Sequence, residues 1–428
     1  MQGQALPGFR DFYPEELALR NYIFATWREV ARRYGFQEYD GPPLEPQELY
    51  TEKSGEEIVQ QLYAFPDKGG RAVALRPEMT PTLARMVGAR AQALKKPLRW
   101  FSIPQLFRYE RQQRGRLKEH FQLNMDIIGE SAPAADAEIM AAALDIMRAF
   151  DLGPKHVRLR LSDRRILTAA LQERHGVSNE EMPGVLVALD KWEEGAADAV
   201  EDRLQRALGD SATRQAAVSA FLAALGNRDR TLTAALLESP YAEPLNESIR
   251  RLEAMGFDQF VEVDFRIVRG LAYYTGIVFE LFDAEQSLRA ICGGGRYDDL
   301  IGQMTGVDLP CVGFGMGDVV LRELLGTHHK DEVAPTQLDA FLVAVSGEDV
   351  DPVLELAAQL RRGGLAVEYA LRNQPIRKQL ELAAARGAPR AVIIGPDERK
   401  AKVAIVRDLK TGRQRRVSLA KVRKGMFR

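Results

Sequence analysis

The stretch "RGLAYYTGIVFE" (269–280) sets Arg269 and a glycine ahead of the paired phenols Tyr273 and Tyr274. A Thr-Gly step then leads into an apolar strand. Shortly after comes "CGGGRYDDL" (292–300), three glycines followed by Arg296, Tyr297 and Asp298. A cation, phenols and bare backbone so close together suit a buried, small, polar ligand with an anionic end, and glycine lets backbone approach it closely. "LRPEMTPTLARM" (75–86) puts Arg76, Glu78 and Thr80 at the end of a strand, before a helix. Glu78 could hold an ammonium with Thr80 beside it; equally, Thr80 could cap the helix, with Pro81 well suited to its first turn. "FRYERQQRGRLKEHFQ" (107–122) reads as a strand–loop–strand hairpin with Arg108, Glu110, Arg111, Arg114, Arg116 and Lys118 at its neck and along its loop. Arginines in that setting suit a triphosphate, because the guanidinium binds phosphate in pairs of hydrogen bonds and stabilises charge that moves during transfer.

These groups need elements to position them. Residues 15–35 read as an amphipathic helix through Leu17, Tyr22, Ile23, Trp27, Val30 and Tyr34. Strand-like text follows at 71–76, 98–110 and 120–130, then a helix around 136–150. From 164 to 250 Ala, Leu, Glu and Arg dominate and helical periods prevail. Strands return at 260–268, 276–283 and 311–316. The expectation is an α/β chain: an α+β domain on a mainly antiparallel sheet (1–163 and 251–326), interrupted by a helical insertion (164–250). A polar, proline-bearing linker covers 327–337. Beyond it, 338–428 alternates strand and helix as a small, partly parallel α/β domain.

At 428 residues the chain has room for two or three cores, and 46% hydrophobic with 28% charged residues is ordinary for a soluble enzyme. The net charge of -1 gives no global sign of nucleic-acid binding, yet residues 399–428 hold twelve Lys/Arg against one Asp, a local +11. Cys292 and Cys311 are the two cysteines and the five histidines show no ligand spacing, so no metal site is expected. No apolar leader or membrane-length run occurs; a cytoplasmic protein with no membrane partner is expected.

Taken together, the motifs resemble class II aminoacyl-tRNA synthetases, and within them the histidyl-tRNA synthetase family. "FRYERQQRGRLKEHFQ" is similar to the class's motif 2, "RGLAYYTGIVFE" and "GGGRYDDL" to the two histidine signatures, and "LRPEMT" to the substrate strand. The likeness runs over nearly the whole chain, so 338–428 resembles the anticodon-binding domain. It implies histidine–tRNA ligation through a histidyl-adenylate, with ATP as substrate, Mg²⁺, tRNA and L-histidine as partners, and a homodimer whose interface is built near 40–50. Arg108 would bind the α-phosphate and the histidine carboxylate, and Arg269 would neutralise both as they join. Glu78, Thr80, Gln122, Asp126, Tyr273 and Tyr274 would surround histidine. Glu110, Arg116 and Phe121 would serve ATP, with Phe121 stacked on the base.

Three positions depart from the pattern. Ala272 replaces an aspartate, Asp126 a glutamate, and Val320 an arginine placed over the γ-phosphate. Arg116 or Arg296 could serve the triphosphate tail instead, or ATP could bind weakly. A rival reading is the histidine-sensing regulatory subunit of ATP phosphoribosyltransferase. Such subunits resemble the catalytic core and generally lack the last domain. An electrostatic RNA contact is the preferred reading of the basic 399–428 stretch.

Overall fold

The computed structural model describes the chain except residues 1, 2, 4, 52–58, 112, 191–196, 210, 269–272, 330, 332, 334–337, 427 and 428. It divides into two compact units, Met1–Val333 and Ala334–Arg428.

The first unit begins with helix α1 (Pro14–Arg33), started by a proline in its first turn with Glu15 and Glu16 beside it, and ended by Arg32 and Arg33. These charges complement the helix dipole at both ends. Its buried stripe is Leu19, Ile23, Phe24, Trp27, Val30 and Ala31, whereas Tyr22 faces solvent. Next come β1 (Gln37–Glu38) and a small sheet of β2 (Leu44–Pro46), β3 (Tyr63–Pro66) and β4 (Ala72–Leu75). After α2 (Thr80–Gly88) the chain forms β5 (Leu98–Ser102), β6 (Gln105–Phe107), β7 (Glu119–Ile128) and α3 (Pro133–Ala149). The strands β8 (Val157–Asp163), β9 (Val261–Val263), β10 (Ile277–Asp283), β11 (Cys292–Arg296) and β12 (Cys311–Gly317) follow, then α4 (Asp318–Thr327).

The central sheet runs β1-β5-β7-β12-β11-β10-β8-β9, with β6 paired to β7. Every neighbour is antiparallel except the outer pairs β1–β5 and β8–β9. Successive side chains alternate between its faces. On one face Leu123, Met125, Ile127, Val312, Phe314, Met316, Phe279 and Leu281 pack against α1 and the alanine-rich α3 in the main core. The other face carries Gln122, Asn124 and Asp126 of β7 beside Gly313 and Gly315 of β12 and Gly293 and Gly295 of β11. Removing side chains from two neighbouring strands opens a trench along the sheet.

Expectation and structure differ in the 260–268 segment, where the strand stops at Val263. Asp264 turns the chain, accepting from the Arg266 backbone N–H at 3.1 Å and from its guanidinium at 2.9 and 2.6 Å. Between β8 and β9 the described residues are mainly helical, from Arg164–His175 through to Glu243–Ala254. Asp163 caps the first of these helices, accepting from Arg165 N at 2.9 Å, and Gly176 ends it at a φ of 61°. Leu167, Val185, Leu204, Leu222 and Leu245 of this region join the core beneath the sheet.

The second unit holds β13 (Ala340–Ala344), α5 (Val350–Arg362), β14 (Val367–Tyr369), α6 (Ile376–Ala385), β15 (Arg390–Ile394), β16 (Val403–Asp408) and β17 (Gln414–Ser418). Its order is β14-β13-β15-β16-β17, parallel across the first three and antiparallel beyond. The strand "AFLVA" and, after Arg390, the run "AVII" are continuously apolar because each face is covered. Leu342 and Val392 meet Leu356 of α5, while Phe341 and Ile393 meet Ala383 of α6. The basic end stands outside both cores: Lys410, Arg413, Arg415, Arg416, Lys421, Arg423 and Lys424 are exposed.

Candidate active site

Two adjoining cavities occupy the glycine trench. The smaller, of ≈ 180 Å³, is lined by Glu78, Thr80, Gln122, Asn124, Asp126, Tyr273, Tyr274 and Tyr297 over the glycines of β11 and β12. The larger, of ≈ 510 Å³, lies between the 107–122 hairpin and the start of α4, with Arg108, Glu110, Arg116, His120, Glu280 and Arg289 on its walls. Arg108, Gln122, Gly293 and Gly315 line both. One guanidinium therefore stands where the two spaces meet, and Pro77 O holds it by accepting from Arg108 Nε at 2.9 Å.

Local structure explains how these side chains arrive. The β4–α2 corner is held by Arg76, buried, whose Nη1 donates to Asp40 Oδ1 and Gly41 O, both at 2.7 Å, and whose Nε donates to Gln105 O at 3.0 Å. Arg76 is thus a structural brace. Glu78, 4% exposed, follows it and accepts from Tyr273 Oη at 3.3 Å. Thr80 is the first residue of α2, whose N-cap position is Met79 with no side-chain cap. No side chain caps this helix, so the capping role expected of Thr80 is not seen, and Thr80 lines the cavity.

Asp126 is buried, 5% exposed, and accepts from Tyr297 Oη at 2.5 Å. Burial raises its pKa to about 7 against the pull of that hydrogen bond. The three phenols of Tyr273, Tyr274 and Tyr297 pack as a cluster, Tyr273 lying 5.1 Å from Tyr274 and 5.8 Å from Tyr297, ring centre to ring centre. Tyr297 belongs to the wall although its site role was not read from the sequence. Asn124 and His120 were also missed. A period of two along β7 finds both, since His120, Asn124 and Asp126 share Gln122's face.

The same alternation corrects two expectations. Phe121 points to the opposite face, packing edge-on against Phe12 at 6.2 Å and Phe24 at 5.2 Å, and lines neither cavity. His120 holds the place on the larger cavity instead. Burial, reinforced by Arg108 and Arg10, drives its pKa down to about 3, so its ring is neutral at physiological pH. Arg296 likewise points away from the trench, its Nε donating to Asp136 Oδ1 at 3.0 Å and its Nη2 to Oδ2 at 2.5 Å. It is not a cation for a ligand. Glu110 and Arg116 stand on the larger cavity as a pair 3.3 Å apart. Arg269, like Ala272, lies outside the described residues.

Asp126 makes one pH prediction. Its folded pKa is raised, so its contribution to stability is greatest below about pH 4 and is lost as pH climbs from its ordinary 3.8 towards 7. Above that range the buried charge is a constant penalty. Asp126→Asn should therefore melt higher than wild type at pH 8, by roughly 2–4 kcal/mol of stability, with the advantage shrinking steadily to pH 5. Melting curves across that range check it; a pH-independent difference would remove the buried carboxylate as its cause.

A trench with a carboxylate-and-phenol end and a cationic end thus lies on a mainly antiparallel sheet, in a chain that also carries a separate α/β unit. Two family models match: histidyl-tRNA synthetase over residues 8–318 and an anticodon-binding domain over 339–426. The chain is 45% identical over 414 residues to a histidine–tRNA ligase of Opitutus terrae, covering 95% of this chain and 94% of the relative. Its fold is similar to that of the histidyl-tRNA synthetase from Nostoc sp. PCC 7120, with a TM-score of 0.81, 25% identity, and coverage of 100% and 99%. It is also similar to a Bacillus halodurans chain described as an ATP phosphoribosyltransferase regulatory subunit/histidyl-tRNA synthetase, with a TM-score of 0.72, 21% identity, and coverage of 92% and 99%. The chain belongs to the histidyl-tRNA synthetase family.

Proposed function

We propose that the two joined cavities activate L-histidine with ATP and that the chain then transfers the histidyl group to tRNA. The observation that carries this reading is the position of Arg108, on the wall of both spaces. A histidine carboxylate entering from the smaller cavity and an α-phosphate entering from the larger one meet at the same guanidinium. A carboxylate oxygen attacks the α-phosphorus and the bond to the bridging oxygen breaks. Pyrophosphate leaves and histidyl-adenylate remains; the terminal ribose hydroxyl of tRNA then attacks its carbonyl and releases AMP. Two anions must be brought together in this reaction, so positioning and positive charge carry the rate, and no nucleophilic side chain is needed.

The residues divide by chemistry. Glu78, Thr80, Gln122 and Asp126 offer acceptors for the histidine ammonium and the polar side of its ring, and Tyr273 and Tyr274 frame the imidazole. Arg269, beside them in sequence, screens the joining carboxylate and phosphate. Glu110 and Arg116 serve ATP, and the neutral His120 ring takes the base-stacking role that Phe121, facing the core, does not. Among the described residues no three His, Cys, Asp or Glu side chains gather as a metal cage. Glu110 and Glu280 on the cavity wall fit Mg²⁺ held chiefly by phosphate and water, where it neutralises phosphate charge.

In the same reading, 1–163 with 251–326 is the catalytic domain, 164–250 an insertion near the acceptor stem, 327–337 a linker and 338–428 the anticodon reader. The exposed arginines of β17 and its neighbours suit an RNA backbone. A cytoplasmic homodimer paired near residues 40–50 completes the proposal. The regulatory-subunit reading fits less well, since the chain's last ninety residues match an anticodon-binding domain.

Histidine-dependent exchange of pyrophosphate with ATP tests the assignment. Exchange and tRNA charging should both require histidine, and Arg108→Ala or Arg269→Ala should each lower exchange by about 10²–10³, Arg269→Ala with little change in histidine binding. Histidine binding without exchange in the wild-type protein would instead mark a sensor.

A further inference from the structure

We infer that Arg289, on the β10–β11 connection, is the cation that holds the distal phosphates of ATP and the departing pyrophosphate. The inference rests on the larger cavity being the ATP site. On that wall the hairpin contributes Arg108, Arg116 and the carboxylate of Glu110, and β10 contributes Glu280. Arg108 is committed to the junction with the smaller cavity, and Arg116 lies 3.3 Å from Glu110, which offsets its charge. A triphosphate brings several negative charges into this space, and pyrophosphate must be stabilised as it leaves. A further cation is called for, set opposite the hairpin.

Alpha-helix α4 does not provide it. Val319 and Val320 are the side chains it turns to this cavity, and Val320 is anchored in the main core. Arg296 is engaged with Asp136 on the other face of the sheet. Arg114 is exposed and donates to Glu323 at 3.0 Å. Arg289 does reach the spot. Gly115, at the hairpin tip with a φ of 75°, marks the place: a Cβ there would lie 3.4 Å from Val320 Cγ2 and 3.6 Å from Arg289 Cδ. The arginine stem and the valine methyl thus flank one point, and both residues line the cavity.

The connection that bears Arg289 is firmly held. Asp283 accepts from Ser287 N at 2.9 Å, Ser287 Oγ at 3.0 Å and Leu288 N at 3.0 Å. Two residues beyond Arg289, Ile291 N donates to Leu281 O at 2.8 Å, closing the turn back onto β10. The backbone on either side of Arg289 is thus fixed, which limits the ordering lost when a phosphate binds.

The test separates the distal phosphates from the rest of the nucleotide. In the full chain, Arg289→Ala should weaken ATP binding by about 10- to 100-fold while AMP and histidine bind as before. Arg289→Lys should recover part of the loss, and Val320→Arg placed in the Arg289→Ala background should recover ATP binding from the opposite wall. Unchanged ATP affinity, or equal weakening of ATP and AMP in a protein with a wild-type melting curve, would overturn the inference. Failure of the wild-type protein to bind ATP at all would instead strike the site assignment beneath it.

Discussion

A single methyl group on Gly313 should lower histidine-dependent pyrophosphate exchange about a hundredfold. Gly313 pairs with Asp126 across β7 and β12 and lies on the trench floor. A Cβ there would run into the Asp126 carboxylate and stand 2.7 Å from Met125 O. One of those atoms belongs to a flexible end, the other to backbone, so the strand pair must shift as well as the side chain. Overpacking of this kind costs about 1–3 kcal/mol of stability. Catalysis should suffer as well in the protein that does fold, because a displacement of about 1 Å at a positioning group lowers rate by about a hundredfold. Gly315→Ala supplies the contrast. Its Cβ would meet the amide end of Gln122 at 2.7 Å, with no backbone atom among its nearest neighbours. The Gln122 side chain can swing aside, so Gly315→Ala should keep measurable exchange with a raised histidine requirement. Exchange kinetics of the two variants, with melting curves alongside, decide the matter; a Gly313→Ala enzyme with an ordinary histidine requirement would show that the trench floor does not seat the amino acid.

The second large effect concerns stability and should spare catalysis. Arg296 and Asp136 form an ion pair that is 4% and 2% exposed, with two short guanidinium contacts and a third to Glu130 O at 3.1 Å. Arg296→Ala leaves the Asp136 carboxylate buried without its counter-charge, a loss of about 3–5 kcal/mol. The double variant Arg296→Met with Asp136→Leu removes both charges together and should regain most of that stability, since the isolated charge, rather than the missing attraction, is the main penalty. Urea unfolding of the single and double variants measures this directly. Folded Arg296→Ala protein should exchange pyrophosphate at a near-normal rate, because the pair lies beneath the sheet and not in the trench. Selective loss of ATP affinity in that variant would return Arg296 to the site.

Much of this arrangement was legible in residue types. The helix at Pro14–Arg33, the hairpin around Gly115 and the strand–helix alternation after residue 338 each follow from local periodicity and turn chemistry, which demand no knowledge of distant contacts. Glu78, Thr80, Gln122, Asp126, Tyr273 and Tyr274 all reach the smaller cavity. The difficulties came where residue type competed with direction. Phe121 is aromatic and Arg296 cationic, yet each stands on the core side of its strand, while the less conspicuous His120 and Asn124 share the face of Gln122. Arg289 carried no local signal, since its reach depends on the Asp283 turn and on Val320 from another element. Tyr297 owes its role to Asp126, which is 171 positions away in the chain. Tertiary pairing of this kind is invisible to any window of sequence.

Strand β7 has one further consequence. Leu123, Met125 and Ile127 face the apolar core, and Gln122, Asn124 and Asp126 alternate with them on the wall of the smaller cavity. No spacer separates packing from recognition: a cavity opened behind Met125 is relieved by movement of the same backbone that aims Asp126. Heat, or a small-residue substitution on the apolar side of β7, should therefore disturb the trench before the fold is lost.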